Sequence, residues 1–224
     1  MTLDVAQFLL SILLFLLVYM IAVTTSGAFK AWVAYLCGDD TAQEEGFVTL
    51  NPLMHIDPLG LFFFLILKFG WGRRIPIDSR NIGSKPKLIC AYMADTFMNI
   101  LTGIVALVVL VAVFGPGILQ SQVSLEQLRS AYPQYTAFAF VSMLILVTLI
   151  RLSVWLAALS GISNFFKLGV LLFFPEKQDD PDAQYFLNFG PLLLMILFLS
   201  QLMGVINTLI EHAGFVIASI LKFI

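Results

Sequence analysis

The chain has 224 residues, of which 60% are hydrophobic and only 12% are charged, and its mean hydropathy is +0.96. Soluble domains average about half apolar and a quarter charged residues, so this composition excludes a water-soluble globular protein and predicts a single membrane domain over residues 1–224. The net charge of -2 provides no basic surface of the kind that nucleic-acid binders carry, and nucleic acid is therefore not expected as a partner.

Long stretches with few or no charges predict the membrane spans. In chain order they occupy residues 5–29, 88–114, 135–174 and 185–224. Each is longer than the roughly 20 residues that an α-helix needs to cross the hydrocarbon layer. The first has no Lys or Arg before it and exceeds the apolar core of a signal peptide, so we expect a retained helix. These stretches predict four or five spans.

Shorter apolar pieces indicate segments that enter the membrane without crossing it. Residues 59–67, between Asp57-Pro58 and Lys68, are too few to cross. Residues 165–174, which follow Gly161 and Asn164, predict a re-entrant or interfacial piece. Near the end, 191–210 predicts a span, and the apolar tail 211–224 is again too short to cross.

The distribution of basic residues predicts the orientation. Six of the twelve Lys and Arg residues lie between Lys68 and Lys87, which makes the loop 68–87 cytoplasmic by the positive-inside rule. Because 59–67 is not expected to cross, loop 38–58 is cytoplasmic too. The loop 115–134 is then external.

The segment around the end of the first helix carries an extended motif. It reads Gly38-Asp39-Asp40-Thr41-Ala42 and then Thr49-Leu50-Asn51-Pro52-Leu53-Met54-His55-Ile56-Asp57-Pro58-Leu59-Gly60. This resembles the site-2 protease family of intramembrane zinc metalloproteases, in which H-E-x-x-H-A-x-x-A precedes G-D-x-T-A and T-L-N-P-x-x-H-x-D-P-x-G. Ala31 and Ala34 match the first of these motifs, and Phe69-Gly70-Trp71 resembles a later F-G-W. The resemblance implies an all-α membrane helix bundle with a site-2 protease-like core and re-entrant segments.

The zinc-binding positions of the family are occupied by other residues here. In the family, two His four residues apart bind zinc, and the Glu beside the first is the general base. These positions fall on Ser26, Gly27 and Lys30. A protonated lysine has no lone pair for a metal. The comparison therefore predicts no catalytic residue, no metal ligand and no cofactor.

Two later family motifs are also altered. The third zinc ligand, an Asp in P-L-D-G, corresponds to the stretch 160–169, which contains no acidic residue. The family's G-P-x-x-N turn corresponds to 95–99, where only Asn99 matches. This pattern predicts a pseudoprotease rather than an enzyme.

Four residues of the motif loop, Asn51, Pro52, His55 and Asp57, correspond to the family's structural and substrate-facing loop, and a binding role there is what the resemblance implies. His55 and Asp57 are chemically suitable metal ligands. Asn-Pro and Asp-Pro are turn formers, however, and the second histidine of the chain, His212, is distant in sequence. We favour the structural interpretation.

Two other arrangements of polar residues have a functional alternative. Ser26 and Lys30 lie one helical turn apart, so a catalytic Ser/Lys pair is geometrically possible. We expect instead that Lys30, beside Trp32 and Tyr35, extends to the membrane interface. Asp95 and Arg151 each cost about 2.5–3.5 kcal/mol at the centre of a lipid-facing helix. We expect both to point inward and to pair with each other, or Asp95 with Lys167; a proton or ion relay is the alternative.

The prediction for function is a catalytically inactive site-2 protease-like membrane protein that binds other membrane proteins, as an adaptor or as a structural subunit of a complex. Two alternatives are a divergent intramembrane metallopeptidase and a small channel or transporter that uses Asp95 and Arg151. The expected location is a bacterial inner membrane or an organellar inner membrane, with the basic loop 68–87 touching anionic headgroups of the lipid bilayer.

Overall fold

A computed structural model of the chain describes residues 5–67, 70–115, 136–174, 180 and 199–221. The helices in these ranges are α1 (Val5–Cys37), α2 (Thr41–Glu44), α3 (Pro52–His55), α4 (Pro58–Leu67), α5 (Lys85–Phe114), α6 (Ala137–Phe173) and α7 (Leu199–Leu221). A 3₁₀ turn at Ser79–Asn81 precedes α5. Extended pairing in the described part of the chain is limited to one bridge, between Ile56 and Gly72. The predicted all-α class is confirmed.

Three helices within the described ranges are long and apolar enough to cross a membrane. They are Ile12–Cys37, Lys85–Phe114 and Phe138–Phe173, and they correspond to the first three predicted spans. Much of the fourth predicted span, 191–210, lies outside the described residues, as does almost all of the predicted external loop 115–134. The total of four or five spans stays a prediction.

Helices α1, α5 and α6 pack against one another and form the core. The most extensive contact is between α5 and α6, followed by that between α1 and α5. Fully buried side chains from all three fill the interior, with Tyr19 on α1, Leu110 on α5 and Trp155 on α6. Exposed apolar side chains cover their outer faces, as expected for helices that face lipid.

Helix α4 and the residues after it fold back onto α1. The Tyr19 hydroxyl donates a hydrogen bond to the Trp71 carbonyl at 2.6 Å, and its ring stacks on Phe64 with the centroids 5.2 Å apart. Glycine is required at positions 60 and 70, since a Cβ at Gly60 would overlap the Trp71 backbone and one at Gly70 would overlap Gly60. The short apolar run 59–67 is a helix, and the fold places Trp71, which follows it, beside α1.

Helix α6 corrects one prediction. The expected re-entrant piece 165–174 is wrong, because α6 continues without a break to Phe173 and spans roughly 55 Å. Gly161 and Asn164 do not end the helix, because both form contacts with neighbouring helices. Gly161 lies against Thr96 of α5, and the Asn164 side chain is hydrogen-bonded to α1 and α5.

Helix α7 is continuous from Leu199 to Leu221. It therefore runs through Glu211 and His212, where the sequence indicated the start of a separate tail. The His212 Nδ1 lies 2.8 Å from the Thr208 carbonyl one turn earlier, a contact made within a regular helix. The described part of the predicted tail 211–224 extends this helix rather than forming a segment of its own.

The buried Asp39 organises the loop after α1. Its carboxylate accepts hydrogen bonds from the Thr41 hydroxyl at 2.6 Å, the Asn81 amide at 3.0 Å and the Asp78 backbone N–H at 2.9 Å. Gly38 before it has a φ of +109°, a backbone conformation that favours glycine. The Gly38–Ala42 motif is therefore a structural connection between the end of α1 and the loop that leads into α5.

Candidate functional site

A polar cavity of about 150 Å³ lies between α1, α5, α6 and the residues from Trp71 to Ile75. Its polar lining residues on the three helices include Ser26, Lys30, Asp95, Asn99, Asn164 and Lys167. One end of the bundle is where α1 and α6 end and α5 begins. Each helix contributes one residue about 10–15 Å from this end: Lys30, Asp95 and Asn164. The cavity is thus inside the bundle and nearer one of its ends.

Lys30 is at the centre of the hydrogen-bonding network in this cavity. Its Nζ lies 3.1 Å from Asp95 Oδ2 and donates a hydrogen bond to Asn164 Oδ1 at 3.0 Å. It also lies 5.8 Å from the centroid of the Tyr92 ring. The residue is only 7% exposed. The prediction that Lys30 extends to the membrane interface is wrong, because a carboxylate on the neighbouring helix holds its charge inside the protein.

Asp95 uses both of its oxygens in this network. Oδ2 faces Lys30, while Oδ1 accepts hydrogen bonds from the Asn164 amide and from the Thr96 backbone N–H, both at 2.9 Å. The prediction that Asp95 points inward is confirmed, but the predicted pair with Arg151 is wrong. Arg151 precedes Asn164 in α6 and lies about 20 Å from it along the helix axis. It is half-buried and interacts electrostatically with Glu211 of α7. Lys167, the other predicted partner, lines the cavity but is not the residue paired with Asp95.

The described structure provides no support for a Ser26/Lys30 catalytic pair. The Ser26 hydroxyl donates to the Ala22 carbonyl at 2.9 Å, one turn earlier in α1. The amine of Lys30 is directed to Asp95 and Asn164 instead. Ser26 therefore lines the cavity without contacting the group that would have to activate it.

His55 packs directly against Gly27. It is completely buried, and a Cβ at position 27 would overlap its Nδ1. Its Nε2 lies 2.8 Å from the Thr49 carbonyl, which can only accept, so Nε2 carries the hydrogen. Nδ1 has no hydrogen-bond partner among the described residues. Burial lowers the pKa of His55, because it disfavours the imidazolium form.

The other predicted binding residues of the motif loop have local structural contacts. The Asn51 side chain accepts a hydrogen bond from the Leu53 N–H and caps α3, in which Pro52 is the first residue. The Asp57 carboxylate accepts from the Gly60 N–H at the start of α4. None of Asn51, Pro52, His55 and Asp57 lines the polar cavity. A binding role for this loop stays a prediction.

The described residues do not fit a zinc ion. No three His, Cys, Asp or Glu side chains converge anywhere in the parts of the chain that the structure describes. The one carboxylate that lines the cavity, Asp95, is paired with a lysine. A lysine ammonium cannot ligate a metal, and no reaction step is therefore assigned to zinc.

Two residues of the site were not singled out from the sequence for a role there. Asn164 joins Lys30 to Asp95, and Asn99 lines the same cavity with a buried Oδ1 that has no partner among the described residues. Polar side chains deep in an apolar run are costly unless they are satisfied by protein or ligand. That rule, applied to asparagines as well as to charges, would have marked both.

Comparison with known proteins supports the resemblance. The chain is 35% identical over 116 residues to the "Putative zinc metalloprotease YwhC" of Bacillus subtilis, and the match covers 50% of this chain and 52% of that protein. The chain thus spans about half the length of this relative. No family model matches the chain, and no solved structure does either.

This relationship corrects the prediction that the chain is not an enzyme. The relative is named as a "Putative zinc metalloprotease", so the comparison points towards a protease, and the prediction of a pseudoprotease is wrong on this finding. The predicted resemblance itself is confirmed. The chain is thus similar over about half its length to a protein named as a putative zinc metalloprotease, and three of its described helices are long and apolar enough to cross a membrane.

Proposed function

We propose that this protein binds a polypeptide segment of another membrane protein in the cavity between α1, α5 and α6. The observation that carries the proposal is the buried network of Lys30, Asp95 and Asn164, which lines a cavity rather than a closed core. Ionisable groups placed inside a membrane domain are costly and usually mark a functional site.

The cavity offers both kinds of hydrogen-bonding group that a polypeptide needs. Backbone N–H and C=O groups must both be paired when they leave water. Asn99 lines the cavity, and its buried Oδ1 is an acceptor without a hydrogen-bond partner among the described residues. The Ser163 hydroxyl and the cationic side chain of Lys167 supply donors along the same wall, while the Ser160 hydroxyl is already hydrogen-bonded to Thr96. An unwound segment of a partner helix has complementary groups.

Site-specific photo-crosslinking in native membranes tests this proposal. A benzophenone amino acid at Ser163 faces the cavity, while the same group at Phe165, which is 73% exposed, faces outward and is the matched control. We expect a discrete crosslinked protein from position 163, which mass spectrometry identifies. The same product should be absent when the group is at position 165, and it should be lost from position 163 when Asn164→Leu is added. Equal products from both positions would contradict it.

A second candidate, hydrolysis of a membrane-embedded peptide, is favoured by the name of the relative. The described residues supply no zinc-ligand set, so the test has to measure metal and cleavage together. Full-length protein is purified and analysed for zinc by elemental mass spectrometry, and the crosslinked partner is examined for truncated products. Stoichiometric zinc together with truncation would establish hydrolysis; their joint absence would leave binding alone.

The transport alternative has less support. Asp95 and Arg151 lie about 20 Å apart along the bundle, and Asp95 is hydrogen-bonded to Lys30 and Asn164. A relay between the two charges would need intervening groups that exchange protons.

A further inference from the structure

The geometry points to a binding site for an oxyanion, a carboxylate or a phosphate group, beside Lys167 in this cavity. The inference goes beyond the proposed function, because a small anion would bind there whether or not a polypeptide does.

The first argument is the charge of the cavity wall. The lining contains the side chains of Lys30, Arg73, Arg74 and Lys167 and one carboxylate, that of Asp95. The formal excess among these lining side chains is three positive charges, although both arginines are exposed and Asp57, outside the cavity, attracts Arg74. The excess attracts an anion most strongly beside the more deeply placed Lys30 and Lys167, because the protein around them screens charge less than water does.

The second argument is that Asp95 does not neutralise Lys167. Both Asp95 oxygens already accept hydrogen bonds, Oδ2 from Lys30 and Oδ1 from Asn164 and the Thr96 backbone. Lys167 forms no hydrogen bond or ion pair with another described residue. Lys30 and Arg74 repel its charge, while Asp95 attracts it.

The third argument is that the wall around Lys167 can hold an oxyanion. The hydroxyl of Ser163 and the guanidinium of Arg73 line the same cavity, whereas the Ser160 hydroxyl is already hydrogen-bonded to Thr96 at 2.9 Å. A guanidinium presents a planar pair of donors that matches carboxylate and phosphate oxygens. A water molecule needs about 10–15 Å³ of such space, so a cavity of about 150 Å³ accommodates a group of several atoms.

Lys167 lies within two turns of the end of α6, so the oxyanion could come from solution or from a lipid headgroup. Thermal unfolding of the full chain in two arms separates these sources. One arm, in an uncharged detergent, compares inorganic phosphate with chloride at equal ionic strength. The other compares nanodiscs of phosphatidylcholine with nanodiscs that also contain phosphatidylglycerol. A ligand that binds only the folded protein raises the unfolding temperature.

We expect a higher unfolding temperature in at least one arm for the wild-type protein and for Lys167→Arg, and no increase for Lys167→Met. Lys87→Met, at an exposed position, should respond as the wild type does. A response to phosphate indicates a soluble anion, and a response to phosphatidylglycerol alone indicates a headgroup. If Lys167→Met does not fold, equilibrium dialysis of labelled phosphate and lipid analysis of the purified wild type decide the matter. The proposal fails if neither anion binds at about one per chain, or if Lys167→Met responds like the wild type.

Discussion

Lys30 of α1 and Asp95 of α5 form an ion pair with a separation of 3.1 Å, and Asn164 of α6 hydrogen-bonds to both members. The three longest described helices are thus connected at one point by one cation, one anion and one amide. Lys30 occupies a position that binds zinc in the site-2 protease family, which the sequence resembles. Asn164 lies in the stretch that corresponds to the third zinc ligand of that family. The connection makes specific predictions about stability.

Removing one member of the pair should destabilise the protein more than removing both. Lys30→Met or Asp95→Leu leaves a partly buried charge without its partner, which costs about 3 kcal/mol. The double variant removes both charges and should be less destabilised than either single variant. Chemical denaturation in detergent measures the three differences. Arg80→Met is the control: it breaks the exposed pair with Asp78 and should cost less than about 1 kcal/mol. If the single and double variants of Lys30 and Asp95 are as stable as the wild type, the pair between these two residues is not formed.

Gly27→Ala should be destabilising although alanine favours helices. The new Cβ would overlap His55 Nδ1, and such overpacking costs about 1–3 kcal/mol. His55→Ala in the same chain should relieve the overlap. Gly169→Ala, in a helix where nothing lies within 4 Å of the added Cβ, should stabilise by up to about 1 kcal/mol. If Gly27→Ala unfolds at the wild-type temperature or above, as Gly169→Ala should, His55 does not pack on Gly27.

Stability should decrease as the pH falls below about 6.5, the ordinary pKa of histidine. Burial lowers the pKa of His55 in the folded protein, so the unfolded chain binds more protons in this range. The contribution of His55 is therefore complete above about pH 6.5 and is lost as the pH falls towards its lower folded pKa. Unfolding temperatures measured from pH 8 to pH 5 should decline less for His55→Gln than for the wild type. His212→Gln, at an exposed position, is the control and should follow the wild-type curve.

Asp39→Asn should destabilise the loop, whereas the same change at the adjacent Asp40 should have little effect. The Asp39 carboxylate accepts hydrogen bonds from Thr41, Asn81 and the Asp78 backbone. An amide loses one acceptor oxygen and places a donor against donors, at a cost of about 1–3 kcal/mol. Asp40 is exposed. Limited proteolysis between residues 38 and 84 should become faster for Asp39→Asn only; equal rates would mean that Asp39 is not a structural connection.

The helices that follow from local sequence were predictable. Long apolar runs mark α1, α5 and α6, since crossing hydrocarbon requires a length and composition that the sequence displays directly. The run 59–67 was recognised as a shorter element for the same reason. The re-entrant piece after Asn164 was wrong, because packing against Thr96 and bonding to Lys30 keep α6 helical through residues that locally favour a break.

The site was harder to predict, because its residues meet across 65 and 134 positions of sequence. The expectation for Lys30 came from Trp32 and Tyr35 on the same helix. Residues two positions apart, such as Lys30 and Trp32, face different sides of a helix. The side chains of Trp32 and Tyr35 are about half exposed, while Lys30 is buried. Which face of α1 meets Asp95 depends on how the helices rotate against each other, and the sequence of one helix does not contain that information.

The order of the network along the chain has a consequence for how the protein is made. Lys30 and Asp95 belong to the first two long helices, and Asn164 follows Asp95 by 69 residues. During synthesis the positive and negative side chains can therefore neutralise each other as soon as α5 has been inserted, before α6 exists. Each charge would otherwise cost about 2.5–3.5 kcal/mol in lipid. Pairing of α1 with α5 would remove this cost from both helices before the third long helix is inserted.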